Sequence, residues 1–224
     1  MILTTAAYGI KYVKYVNTYL DKLLPYFDNH FILTDQPSNL EKFNTVLYHR
    51  GIWSYVEKLI FALKVAIENK SDVVFIDADE LHKIPIELLQ EKPFVKNKIN
   101  YIQKWLGINI YRNTGDDFKT FRNYFEKIKK VKIPENLPLV WEYFYYFPYS
   151  DKLKDLLHTL EQIQPILEYN TLVNTPPDIV ITGSIKTSSS IKLGSGEGIA
   201  LAIAAFLTGI EFHELNSKYK KSEN

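Results

Sequence analysis

The stretch Val73-Val74-Phe75-Ile76-Asp77-Ala78-Asp79-Glu80 constrains this chain more than any other. Three of its four leading residues are β-branched and the other is aromatic, and the polar Asn69-Lys70-Ser71-Asp72 precedes them. The run therefore predicts a central strand that stops abruptly on carboxylates. In open α/β sheets the C-terminal edge of the strands is where ligands bind. Asp77 and Asp79, separated only by the small Ala78, can both turn there toward a hard cation or a ribose hydroxyl. A bulkier residue than Ala78 would crowd that approach. The competing reading is that the two aspartates end a strand and cap the next turn, as Asp often does.

The segments before this run follow a strand and helix alternation. Residues 1–6 read as a strand and Ala7-Tyr8-Gly9 as a loop. Over residues 11–24, Tyr12, Val13, Val16, Tyr19, Leu20 and Leu23 recur at helical spacing until Pro25. Residues 30–34 read as a second strand and 44–48 as a third, and residues 53–69 carry Val56, Leu59, Ile60, Leu63 and Ile67 in helical order. This is the α/β pattern of a parallel sheet. Lys58 lies within the last of these helices, placed either to reach a phosphate at the sheet edge or to sit in solvent like most helix lysines.

Further along, the pattern predicts a short helix over 85–90, strands over 98–105 and 109–112, and a charged helix over 116–130. Lys127, Lys129, Lys130 and Lys132 form a basic cluster there, read as solvated helix surface. An aromatic strand over 137–148 precedes an amphipathic helix that Ser150 can cap and that runs through Leu153, Leu156, Leu160 and Ile163. Residues 178–182 read as a strand and 183–195, rich in Ser, Thr and Gly, as an exposed loop. Residues 1–215 thus read as one α/β domain, with 216–224 a charged, disordered tail.

The second constellation is Gly194-Ser195-Gly196-Glu197-Gly198 ahead of an Ala- and Leu-rich helix over 199–207. The glycines allow the first turn to approach a ligand or another backbone closely. Glu197 then either stabilises an apolar helix through its dipole or works on a substrate. The glycines do not have the spacing of a phosphate-binding loop.

Composition excludes several classes. With 27 Lys and Arg against 26 Asp and Glu, the formal charge of +1 gives no general attraction to nucleic acid or to anionic membranes. The absence of Cys excludes disulfides, thiolate zinc sites and a Cys nucleophile. No apolar run reaches the length of a membrane span, and the N-terminus lacks the basic-then-apolar order of a signal peptide, so a soluble, cytoplasmic protein is expected. Trp53, Trp105, Trp141 and Tyr146 can stack a sugar, but such residues are more often core.

Phe75-Ile76-Asp77-Ala78-Asp79 resembles the Asp-x-Asp strand end of nucleotide-sugar glycosyltransferases of the GT-A fold. Residues 15–27 with Phe31-Ile32-Leu33-Thr34-Asp35-Gln36-Pro37 are similar to the corresponding helix and Asp-Gln-Pro stretch of glycosyltransferase family 6, which includes the blood-group A and B transferases. Residues 143–162 are similar to that family's aromatic strand and following helix, and Glu197 falls where the family has its catalytic Glu. The chain departs from the family at Ser195-Gly196-Glu197, where the family carries His-Asp-Glu. It departs again at Tyr145-Tyr146-Phe147-Pro148, where the family has a glycine-rich acceptor strand.

The resemblance implies a Rossmann-like, mostly parallel sheet flanked by helices in a small soluble enzyme of bacterial or viral type. It implies retaining transfer of galactose or N-acetylgalactosamine from a UDP-sugar to a glycan hydroxyl, with Mn2+ or Mg2+ held by Asp77 and Asp79. Thr5, Ala6 and Tyr8 would enclose the uridine, Asp79 would be the surest metal ligand with Asp77 coordinating the metal or holding the ribose, Ala78 would complete the cofactor-binding strand end, Lys58 would face the phosphates, and Glu197 would act as nucleophile or as stabiliser of an oxocarbenium-like transition state. The strand also resembles the Phe-Met-Asp-Ala-Asp of family 8, the glycogenin-like enzymes, whose His-containing motif is not found here. Two other classes stay open, a haloacid-dehalogenase-like phosphatase using Asp77 and Asp79 and a non-catalytic sugar- or nucleotide-binding protein.

Overall fold

From its first residues the chain alternates strands with helices. The computed structural model describes residues 1–48, 55–103, 126–127, 130–134, 142–174, 185–186, 192–193, 196–215 and 219. Strand β1 (Ile2–Ala7) leads into α1 (Ile10–Tyr19), β2 (Asn29–Thr34), β3 (Val46–Tyr48), α2 (Tyr55–Asn69) and β4 (Val73–Ile76). Next come α3 (Ile86–Glu91), β5 (Lys98–Gln103), β6 (Glu142–Phe147) and α4 (Lys152–Asn174). The chain continues through two short strands, β7 (Ile185–Lys186) and β8 (Lys192–Leu193), to α5 (Gly196–Thr208) and β9 (Glu211–Glu214).

Seven strands form one sheet in the order β3-β2-β1-β4-β6-β5-β9. Only β6 runs against its neighbours, β4 and β5, and the remaining pairings are parallel. This is the mostly parallel α/β sheet that the alternation of strands and helices predicts. From β1 the chain steps outward through α1 to β2 and then β3, and α2 carries it back to β4 on the other side of β1. The strand order thus reverses between β1 and β4. A crevice opens outside the carboxyl ends of strands at such a switch point.

Both faces of the sheet are covered, which explains why its central strands read as continuous apolar runs. Val73 and Phe75 of β4 point to the layer built by α2, α4 and α5, while Val74 and Ile76 point to the layer containing Val13 and Val16 of α1 and Leu88 of α3. All four β4 side chains are fully buried. Each contributes of the order of 1.5–3 kcal/mol relative to exposure. Because reversed winding puts successive crossovers on opposite faces, α1 and α2 lie on opposite sides of the sheet.

Several expected boundaries move. The helix expected over 11–24 is α-helical only to Tyr19, and the chain then tightens into 3-10 turns at Leu20–Lys22 and Leu24–Tyr26, with Pro25 in the first turn of the second. Helix α4 runs past Pro165 to Asn174, beyond the last apolar position that the spacing marked. Within the stretch expected to be a loop, β7 and β8 pair as antiparallel strands. Strand β9 was not anticipated. In the expected tail, Tyr219 is buried and its hydroxyl donates to Glu91 of α3. The strands expected at 109–112 and 178–182 and most of the helix at 116–130 lie outside the described residues, as do Trp53, Trp105 and Trp141. No helix among the described residues is long and apolar enough to cross a membrane.

Candidate functional site

Strands β1 and β4 lie side by side with Ile2, Leu3 and Thr4 opposite Val73, Val74 and Phe75, so their carboxyl ends share one edge. Two buried hydroxyls lock that pairing. Thr4 Oγ1 donates to the Val74 carbonyl (3.2 Å) and Thr5 Oγ1 to the Ile76 carbonyl (2.7 Å). Thr5 and Ala6 are therefore strand residues inside the sheet, and the loop begins at Tyr8. Thr5 is fully buried and spends its hydroxyl on β4.

One residue past β4, the Asp77 amide still donates to the Tyr143 carbonyl of β6 (3.0 Å), so the backbone carrying the first acid is held by the sheet. A 3-10 turn over Ala78–Lys83 follows, closed by Glu80 N to Asp77 O at 2.9 Å. The Asp77 carboxylate does not cap this turn. It points instead to α2, where Lys58 Nζ lies 2.6 Å from Asp77 Oδ1. The alternation along β4 explains the direction: Asp77 is two residues beyond Phe75 and so shares its face, the one α2 covers. The lysine side chain is only 4% exposed against 23% for Asp77, and its ammonium lies 5.4 Å from the centre of the Phe75 ring. A charge so far from solvent requires such a partner.

Asp79 stands in the first turn of the 3-10 segment, partly exposed, with no side-chain hydrogen bond or ion pair to any described residue. Beside it the buried Glu80 carboxylate pairs with Lys83 (2.8 Å). The Tyr143 phenol nearby has its pKa pushed up to about 12, by burial first and by Glu80 second, so it remains a neutral hydroxyl.

The edge carries further groups that the sequence reading passed over. Gly9 takes φ 78° and ψ 158°, a conformation that favours glycine, between β1 and α1, and its amide donates to Asp35 Oδ1 at 2.9 Å. Asp35 thus fixes the first strand-to-helix connection. Thr34 Oγ1 ties the end of β2 to the Ala7 carbonyl at 2.7 Å. Glu57, next to Lys58 in the first turn of α2, accepts from Gln164 Nε2 of α4 at 2.8 Å. Tyr8 lies among these acids: burial raises its phenol well above the ordinary tyrosine value, and the Glu57 and Asp35 carboxylates raise it further. The Tyr8 hydroxyl therefore stays protonated.

Glu197 is the second residue of α5. That helix ends at Gly209, at φ 64°, where Ile210 N donates to Ala205 O (2.9 Å) and Gly209 N to Phe206 O (3.3 Å), the paired bonds of a Schellman turn. The chain reverses there into β9, which runs parallel to β5 and hence in the sense of β4. The reversal carries the first turn of α5 toward the edge on which β1 and β4 end. Tyr8, Lys58, Asp77, Ala78 and Asp79 thus gather at that edge, and Glu197 belongs to a helix that starts toward it.

Two carboxylates fit a divalent cation in one specific way. Among the described residues no group of three His, Asp or Glu is placed to hold a metal, so the described residues by themselves do not form a protein cage for one. Hard cations such as Mg2+ are also bound through one or two carboxylates with phosphate oxygens completing the shell. Asp79, unpaired among the described residues, and Asp77, shared with Lys58, suit that mode.

No family model matches the sequence, and no curated protein does. Among solved structures, the bifunctional IspDF of Campylobacter jejuni superposes with a TM-score of 0.46 at 13% identity, over 98% of this chain and 50% of that one. This chain spans about half the length of that protein. The 4-diphosphocytidyl-2C-methyl-D-erythritol synthase of Anaerococcus prevotii gives 0.46 at 11% identity, over 100% of this chain and 90% of that one. The bifunctional glycosyltransferase WbbM gives 0.39 at 11% identity, over 70% of this chain and 34% of that one.

Proposed function

We propose that this chain is a retaining glycosyltransferase that moves galactose or N-acetylgalactosamine from a UDP-sugar to a glycan hydroxyl, with Mn2+ or Mg2+ held through Asp77 and Asp79. The observation that carries the reading is the place of Asp77-Ala78-Asp79: the acids end β4 at the switch point, beside the end of β1. A nucleotide diphosphate laid across that edge meets the first strand-to-helix turn on one side and the aspartates on the other. The sequence likeness to family 6 adds the choice of donor and the retained configuration.

Each residue then has a task. A bound cation supplies positive charge to the diphosphate leaving group as it departs. Asp79 is the principal ligand, and Asp77, held by Lys58, orients the ribose or shares the cation. Lys58 adds a fixed positive charge on the approach of the phosphates. Tyr8, neutral and partly exposed with its hydroxyl turned inward, offers its ring to the uridine, while Thr5 and Ala6 set the end of β1 through the backbone. Glu197, on a helix N-terminus, serves the anomeric carbon either by attacking it or by stabilising an oxocarbenium-like transition state.

A panel of UDP-sugars incubated with and without Mn2+ tests this. Release of UDP from UDP-galactose or UDP-N-acetylgalactosamine that requires Mn2+ and is faster with a glycan acceptor is the expected result. Turnover of phosphate esters, or no binding of any UDP-sugar in Mn2+, would overturn it.

A further inference from the structure

We infer that Lys58 is a built-in counter-cation that makes divalent-cation binding at Asp77 and Asp79 conditional on the nucleotide diphosphate. The inference rests on the reading of this edge as a diphosphate site and concerns how that site is controlled. Lys58 Nζ lies 2.6 Å from Asp77 Oδ1, with the lysine side chain 4% exposed. The fully buried Phe75 ring lies beneath the ammonium at 5.4 Å. The charge thus stands on an apolar floor, where water screens it poorly and its field on Asp77 is strong.

The charge balance follows directly. Among Asp77, Asp79 and Lys58 themselves, two carboxylates are set against one ammonium, and the buried lysine offsets much of the charge that would draw a cation to Asp77. No third acid among the described residues is grouped with them to hold a metal. A divalent ion arriving alone must approach an ammonium that already occupies one oxygen of Asp77. Asp79, unpaired among the described residues, is then the one strong protein ligand, and a single carboxylate holds such ions weakly. A nucleotide diphosphate changes the balance by bringing negative oxygens that draw the cation in and share the field of Lys58. Nucleotide and cation therefore bind as a pair, and the metal affinity of the protein alone is held low by Lys58.

The test uses the full chain freed of metal with EDTA and titrated with Mn2+ alone, with free Mn2+ followed by electron paramagnetic resonance, then repeated with saturating UDP. Wild type is expected to bind Mn2+ about tenfold or more weakly without UDP than with it. Lys58→Met, checked for folding by circular dichroism, is expected to bind Mn2+ alone about tenfold or more tightly than wild type, because a unit charge that close has been removed. Lys58→Arg keeps the charge and should behave as wild type. Tight Mn2+ binding by wild type without UDP overturns the inference whether or not a variant folds, and so does a folded Lys58→Met that binds Mn2+ no better than wild type. If Mn2+ alone tightens on Lys58→Met while UDP binds neither protein, the counter-cation stands and the transferase reading falls.

Discussion

The two aspartates are chemically identical and one residue apart, yet replacing each by asparagine should separate a structural role from a ligand role. Asp77→Asn takes the carboxylate of Asp77 away from the Lys58 ammonium, whose side chain is 4% exposed. Removing one partner of a fully buried pair costs about 3–5 kcal/mol. Asp77 is 23% exposed, and asparagine still offers an oxygen to the ammonium, so the loss should be nearer about 2 kcal/mol. For a chain of this size, one kcal/mol moves the midpoint by roughly 2–4 °C, so the fall in Tm is about 4–8 °C.

Asp79→Asn touches a carboxylate with no side-chain partner among the described residues, so its effect on stability should stay within about 0.5 kcal/mol. Its cost appears elsewhere. Calorimetric UDP affinity in Mn2+ should fall by more than the roughly tenfold to hundredfold that losing an outer-shell partner costs, because a direct hard ligand has lost its charge. Thermal unfolding in EDTA and UDP titration with and without Mn2+ read both quantities on the same preparations. Equal drops in Tm for the two variants would refute the assignment of Asp77 to Lys58. Unchanged Mn2+-dependent UDP binding by Asp79→Asn would refute its role as a ligand.

Glu197→Gln should lower kcat far more than it weakens UDP-sugar binding, and equal loss in both would mark a purely structural residue at the start of α5. Burial lowers the pKa of His30, against a smaller upward pull from Asp21, and its Nε2 is buried without a hydrogen-bond partner among the described residues. The unfolded chain therefore takes up that proton more readily, so the contribution of His30 is complete above the unfolded value of about 6.5 and is lost as pH falls through it toward the folded value. Tm should drop more between pH 7.5 and 5 in wild type than in His30→Gln, and identical drops would exclude the effect. Tyr146→Phe removes the 2.7 Å bond from the phenol to Asp72 Oδ2, while Tyr149 N still donates to Oδ1 at 2.8 Å. A loss of about 1.5–3 kcal/mol is expected in urea unfolding, and a change below the error of the measurement would show that solvent replaces the phenol.

What the sequence made legible was whatever one segment decides by itself. Val73 to Ile76 had to be a strand buried on both faces because four apolar residues leave no polar side to show to water. Strand β9 was illegible for the opposite reason. Glu211-Phe212-His213-Glu214 has charged ends and little apolar content, and it becomes a strand by pairing with the sheet's last member, where Lys98 meets Glu211 at 2.6 Å. The contact between Lys58 and Asp77 lies between these cases.

The pair spans 19 residues, so no local motif announces it. Yet α2 is apolar almost all round: Val56, Leu59, Ile60, Phe61, Ala62 and Leu63 are all buried, because the helix is enclosed by the sheet, α4 and α5. A lysine inside such a run cannot keep its charge without an acid nearby. The chain returns from α2 into β4, so the start of the helix must lie by the end of the strand, where the first acid on the face of Phe75 is Asp77. The reading of Lys58 as a solvated surface lysine failed because it weighed the residue alone. Weighed with its helical neighbours, the lysine requires a buried partner, and the alternation of β4 supplies one.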